Sequence, residues 1–138
     1  MWVFTARYGF ISAVAARDKA TGKLNGEIML RGRDRTHLES LKAAFPELAA
    51  FPVIETPDAD YAVRVIVPEK TWVRVATKLA REVAGYTNFK SETLRLQGPC
   101  LYERLLHSVW GVMRRLQTEG KQRAGEGDTF WRDSEDEA

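Results

Sequence analysis

The chain has 138 residues, of which 44% are hydrophobic and 29% charged, a balance that fits one soluble globular domain with a real core. No apolar run approaches the ~20 residues of a membrane span, and the N-terminus shows neither the basic nor the long apolar region of a signal peptide. The single cysteine, Cys100, excludes an internal disulfide, which fits a cytoplasmic location.

Formal net charge is +2 but unevenly spread. Residues 121–138 hold three basic and six acidic residues, a net of −3, which leaves +5 for residues 1–120. The body is therefore basic and the tail acidic.

Residues 2–15 read as one long strand, with Gly9 as a bulge that swaps faces in its second half. A polar turn segment over 17–26 ends in Asn25-Gly26, and a second strand follows over about 27–33, making a hairpin. Thr36 and Glu39 form a capping box for a short helix. Leu38, Leu41, Phe45 and Leu48 share its apolar face, and Pro46 ends or distorts it. Val53–Thr56 is a short strand, Pro57–Asp60 a turn, and 61–67 a further strand.

Pro68-Glu69 opens the second helix, with Trp72, Val75, Ala76, Leu79 and Val83 as its buried stripe and Gly85 as its stop. Asn88-Phe89-Lys90 begins a shorter helix that ends at Gly98-Pro99. A last helix over about 101–118 places Leu101, Leu105, Val109, Val112, Met113 and Leu116 on one broad face. After Gly120 the periodicity is lost. The acidic, glycine-containing remainder reads as a mobile tail in which Phe130-Trp131 docks on the domain, on a partner, or not at all.

The order β-β-α-β-β-α-α predicts an α+β domain over residues 1–120: a two-layer antiparallel sheet of about four strands, with helices packed on one face.

Arginines fall at recurring places in these strands. Ile28 and Leu30 take one face, and Met29, Arg31 and Arg33 the other. In the strand over 61–67, Arg64 opposes Tyr61, Val63, Val65 and Val67. With Arg7, one face could carry four guanidiniums, suited to bidentate phosphate contacts. Tyr8 or Phe10 would add a stacking surface, and Lys90 lies at the rim of a ligand site or serves only the local helix. A solvated sheet face with carboxylate partners at Glu27, Glu55 or Asp60 is the competing reading.

No Walker loop, dinucleotide fingerprint, zinc spacing or nucleophile elbow is present, so neither catalytic residues, metal ligands nor a cofactor are assigned. His37 is expected to be exposed, and Glu103 with His107 to be a solvated helical pair. The leading reading is a non-catalytic module that binds an anionic ligand: nucleic acid, a nucleotide or an acidic protein surface. A protein-interaction or homo-oligomerisation domain is the alternative, and a phosphate-ester enzyme using Arg64, Lys90 and His107 the third.

Met1-Trp2, Gly9-Phe10-Ile11-Ser12, Arg31-Gly32-Arg33, Asp60-Tyr61 with Arg64, Asn88-Phe89-Lys90, Tyr102 and Val109-Trp110-Gly111-Val112-Met113 carry a resemblance. On these motifs, over roughly residues 1–118, the chain resembles a family of small uncharacterised bacterial proteins. Ile11 departs from the family's more usual aromatic. The resemblance implies a cytoplasmic domain ending before the tail and brings no catalytic residues with it.

Overall fold

The computed structural model describes the backbone of residues 1–135 and the side chains of residues 1–124. Two compact units divide the chain, Met1–Gln97 and Gly98–Ala138.

The first unit is α+β, built on a five-stranded antiparallel sheet. Its strands are β1 (Trp2–Thr5), β2 (Gly9–Arg17), β3 (Leu24–Gly32), β4 (Ile54–Glu55) and β5 (Val63–Pro68), in the spatial order β1-β2-β3-β5-β4. The expected first strand is two strands. Gly9 does not form a mid-strand bulge; it closes a tight turn in which Thr5 pairs with Gly9. The Thr5 hydroxyl donates to the Gly9 carbonyl at 2.9 Å and accepts the Tyr8 N–H at 2.9 Å. Gly9 sits at φ +97°, a region open to glycine and costly for other residues.

The second turn also lies away from Asn25-Gly26. Asp18 accepts the N–H groups of Ala20 and Thr21, an Asx turn that reverses the chain at Asp18–Lys23. Gly26 falls inside β3, near a register shift between Ala15 and Arg17 on β2.

The helix α1 (Arg35–Ala44) is capped by Asp34, whose carboxylate accepts the Thr36 N–H at 2.9 Å. Asp34 displaces the expected Thr36–Glu39 box, because Glu39 pairs with Arg35 instead. Pro46 ends α1 and opens a 3₁₀ turn over Pro46–Leu48. The helix α2 (Glu69–Glu82) follows Pro68 directly, and α3 (Phe89–Gln97) is capped by Asn88, whose side chain accepts the Ser91 N–H.

Strand alternation sends Ile11, Ala13, Leu30, Val63, Val65 and Val67 to one face of the sheet, where they meet Leu38, Leu41 and Phe45 of the α1 region and Trp72, Val75 and Leu79 of α2. Ile11, Leu30, Leu41, Val67 and Val75 are fully buried. Each such side chain contributes roughly 1.5–3 kcal/mol through lost apolar exposure. Val83 lies in a 3₁₀ turn and is exposed, so the buried stripe of α2 stops at Leu79.

The second unit is a single long helix, α4 (Leu101–Glu135), continuing well past the expected end near residue 118. Gly120 costs it about 1 kcal/mol against alanine, but no proline interrupts, and Lys121, Gln122, Arg123 and Ala124 are good helix formers. The docking considered for Phe130 and Trp131 lies outside the described residues. No helix among the described residues is long and apolar enough to cross a membrane.

Candidate functional site

With α1 and α2 on one face, the other face of the sheet shows what the first unit presents. The register fixes its contents, since residues directly opposite in neighbouring strands share a face. Trp2 pairs with Ser12, Ser12 with Arg31, Arg31 with Arg64, and Arg64 with Ile54. This row crosses all five strands. Below it lie Val14, Met29 and Ile66, and above it Phe4 opposite Phe10.

Two guanidiniums thus stand directly opposite each other on central strands, about 4.8 Å apart at the backbone. Like charges in this arrangement repel. Neither has a carboxylate within ion-pair distance among the described residues. Arg31 donates from Nη2 to the Ser12 hydroxyl at 2.8 Å, and its guanidinium lies over the Tyr61 ring, 4.3 Å from the centroid. Arg64 reaches only the Met29 sulfur at 3.4 Å, a weak acceptor. The Nε atoms of both are buried with no hydrogen-bond partner among the described residues. A buried unmet donor costs free energy, and a cationic one costs more.

Aromatic rings fill the β1–β2 end of this face. Phe4 and Phe10 stack at 4.7 Å, and Trp2 stands edge-on to Phe10 at 5.5 Å. Trp2 is 66% exposed. One surface therefore joins guanidiniums that lack an ion-pair partner among the described residues to one exposed indole, Trp2, and a half-buried phenylalanine stack. Along β3 the acid on the same face is Glu27, at the far end of the strand, and the Asn25 amide already bonds it.

The remaining expected residues are placed differently. Arg33 follows the end of β3, lies over Tyr61 at 4.4 Å and pairs with Asp60 at 3.4 Å. It borders the face rather than belonging to the row. Arg7 is in the β1–β2 turn, because the turn at Gly9 takes it out of a strand. Lys90 belongs to α3, not to the sheet. Tyr8 is buried against Phe45 and donates to Glu82 at 2.9 Å, so it offers no stacking surface. Burial, then the Glu82 carboxylate, pushes its pKa up to about 12. Phe10 alone of the two expected stacking residues lies on the face. Trp2, Phe4, Ser12 and Tyr61 were not singled out for the site from sequence; splitting the first strand at Gly9 was the step needed to reach the first three.

His37 is largely buried, not exposed, with its side chain 15% accessible. Its Nδ1 accepts the Phe10 N–H at 3.1 Å, tying α1 to the start of the aromatic strand. Burial pushes its pKa below the ordinary value, against the opposing pull of Asp34. The folded state then binds the proton less readily than the unfolded chain. Stability from this residue is full above the unfolded pKa of about 6.5 and is lost as pH falls through the lower folded value. Thermal melts at pH 7.5 and 5.5 should show a stability drop that is smaller in His37→Gln; an equal drop in both proteins would place the titration elsewhere.

Among the described residues, no three His, Cys, Asp or Glu side chains gather as metal ligands. On α4, His107 Nε2 and Glu103 Oε1 pair at 2.7 Å. Comparison with protein families, with curated proteins and with solved structures returns no match.

Proposed function

We propose that the chain is a non-catalytic cytoplasmic module that binds single-stranded nucleic acid on the open sheet face. The observation that carries this reading is the Arg31–Arg64 pair, partly desolvated, without a carboxylate or sufficient acceptors among the described residues, on the same surface as the exposed Trp2 ring. Phosphate oxygens supply the missing charge and acceptors, and guanidinium geometry suits them. Trp2 offers a π face to an unpaired base, a sequence-tolerant interaction worth about 1–3 kcal/mol per base, and the half-buried Phe4–Phe10 stack supports it. The Ser12 bond and the Tyr61 ring hold Arg31 in place before ligand arrives, which lowers the entropy lost on binding.

Fluorescence anisotropy of a labelled oligouridylate and the matching oligodeoxythymidylate, titrated across salt, tests this. Affinity should fall as salt rises, and Arg31→Ala should flatten the log–log slope by about one. Trp2→Ala should weaken binding with the slope unchanged. Absence of salt-dependent binding at low ionic strength removes nucleic acid as the ligand. Equal binding of polyglutamate would instead assign the face to an acidic protein surface.

A further inference from the structure

The two edges of the sheet differ. At one, β4 is two residues long, carries Glu55 and lies between Pro52 and Pro57, features that discourage a further strand. At the other, β1 has neither proline nor lysine. The Met1 nitrogen donates to the Ala13 carbonyl at 2.7 Å, and the Ala13 N–H returns a bond to the Met1 carbonyl at 2.8 Å. Bonded and unbonded pairs alternate along an antiparallel ladder, so Val3 and Thr5 also turn their backbone groups to β2, and Trp2 and Phe4 turn theirs outward. Among the described residues, the N–H and C=O groups of Trp2 and Phe4 have no partner. A cavity of about 550 Å³ lies beside this edge. Its other wall is Ala76, Leu79 and Ala80 of α2 with Leu96 of α3, and every lining residue belongs to the first unit.

From these features we propose that the groove between β1 and α2 binds an extended acidic peptide of a partner protein, which adds a sixth strand to the sheet beside β1. The added strand lies about 4.8 Å from β1 and takes up the four free backbone groups of Trp2 and Phe4. Its side chains alternate, so those on the same face as Val3, which packs toward the core, enter the cavity. Ala76 and Ala80 leave room for them, and the apolar lining selects aliphatic ones. A compact apolar ligand would leave the edge groups unpaired, and a cavity of this size takes a short segment, not the sheet edge of a folded copy. Charge comes from Arg7, which also lines the cavity, past the Thr5 end of β1. Glu92 is engaged by Arg95, and Glu82 accepts the Tyr8 hydroxyl, so Arg7 has no ion pair among the described residues. A carboxylate on the peptide at that end completes it. This site is separate from the open sheet face and does not rest on nucleic-acid binding.

The probe is an acetylated, amidated heptapeptide of alternating valine and threonine with a glutamate at each end, so that either strand direction brings a carboxylate to Arg7. Titrated into the isotopically labelled full chain, it should shift the Trp2 and Phe4 amide signals saturably and slow their hydrogen exchange. N-methylation at alternate peptide residues should abolish binding for one parity and spare it for the other, because only one parity faces β1. Arg7→Glu should weaken the peptide by roughly threefold and favour a version with lysine ends. Ala80→Trp should fill the groove and block binding; residue 80 is exposed on α2, so the melting temperature should hold. No saturable shift at millimolar peptide overturns the proposal. So does equal binding by both N-methylated forms, or binding that survives Ala80→Trp.

Discussion

Gly9→Ala is expected to be among the most damaging single substitutions in the first unit, lowering stability by roughly 2–5 kcal/mol. Two effects act together. The backbone there has φ +97°, which an L side chain adopts only under strain. An added Cβ would also fall within the His37 imidazole, a ring held in place by the Phe10 N–H. Relief by movement of His37 would break that bond and disturb the first turn of α1. Thermal unfolding should show a fall of more than about 10 °C for a unit of this size. His37→Ala clears the space but leaves the φ requirement, so the double variant should recover part of the loss. A change of under about 2 °C in Gly9→Ala would show that the β1–β2 turn does not hold this geometry. The same turn sets the register that stacks Phe4 on Phe10, so oligonucleotide binding should weaken with stability.

The fold class was readable because its signals are local and agree. Pro68-Glu69 opens α2, Asn88 caps α3, and alternation puts Val63, Val65 and Val67 inward. What could not be read involves competition between equally plausible local partners. Asp34 and Thr36 both suit an N-cap, and Arg35 decides the matter by drawing Glu39 away from the capping box. Gly9 suits a bulge or a turn equally well. The Thr5 hydroxyl, bonding to Tyr8 and Gly9, marks the turn, and sequence patterning does not weigh such a bond. That one choice moved Arg7 off the sheet, buried Tyr8 and brought Trp2 and Phe4 to the face. Parity did predict that Arg31 and Arg64 share a face. That they sit directly opposite each other depends on strand register, which comes from pairing across distant segments.

The apolar face of α4 shows a different limit. Its periodicity was plain in the sequence, but periodicity tells which residues share a side, not what covers them. In the structure that side is exposed.

Arg64→Met should separate stability from binding, moving them in opposite directions. Arg64 stands opposite Arg31 on neighbouring strands; among the described residues its buried Nε has no partner and its only side-chain bond is to the Met29 sulfur. Replacing a poorly compensated buried cation with an apolar side chain of similar length is often stabilising, by 1–4 kcal/mol for fully buried ionic groups. Arg64 is half-buried, so a gain of about 1 kcal/mol is expected. The methionine stem still covers the sheet between Met29 and Ile54, so no cavity opens. Arg31→Met should not show this gain, because it forfeits the Ser12 bond and the stacking on Tyr61. Urea denaturation of both variants, read beside the oligonucleotide titration, distinguishes the outcomes. If the face serves an anion, Arg64→Met gains stability and loses affinity, as residues held in an unfavourable setting for function do. If Arg64→Met is instead destabilised by as much as an ordinary core truncation, the arginine pair is a structural element of the sheet. The case for an anion on that face would then lose its main support.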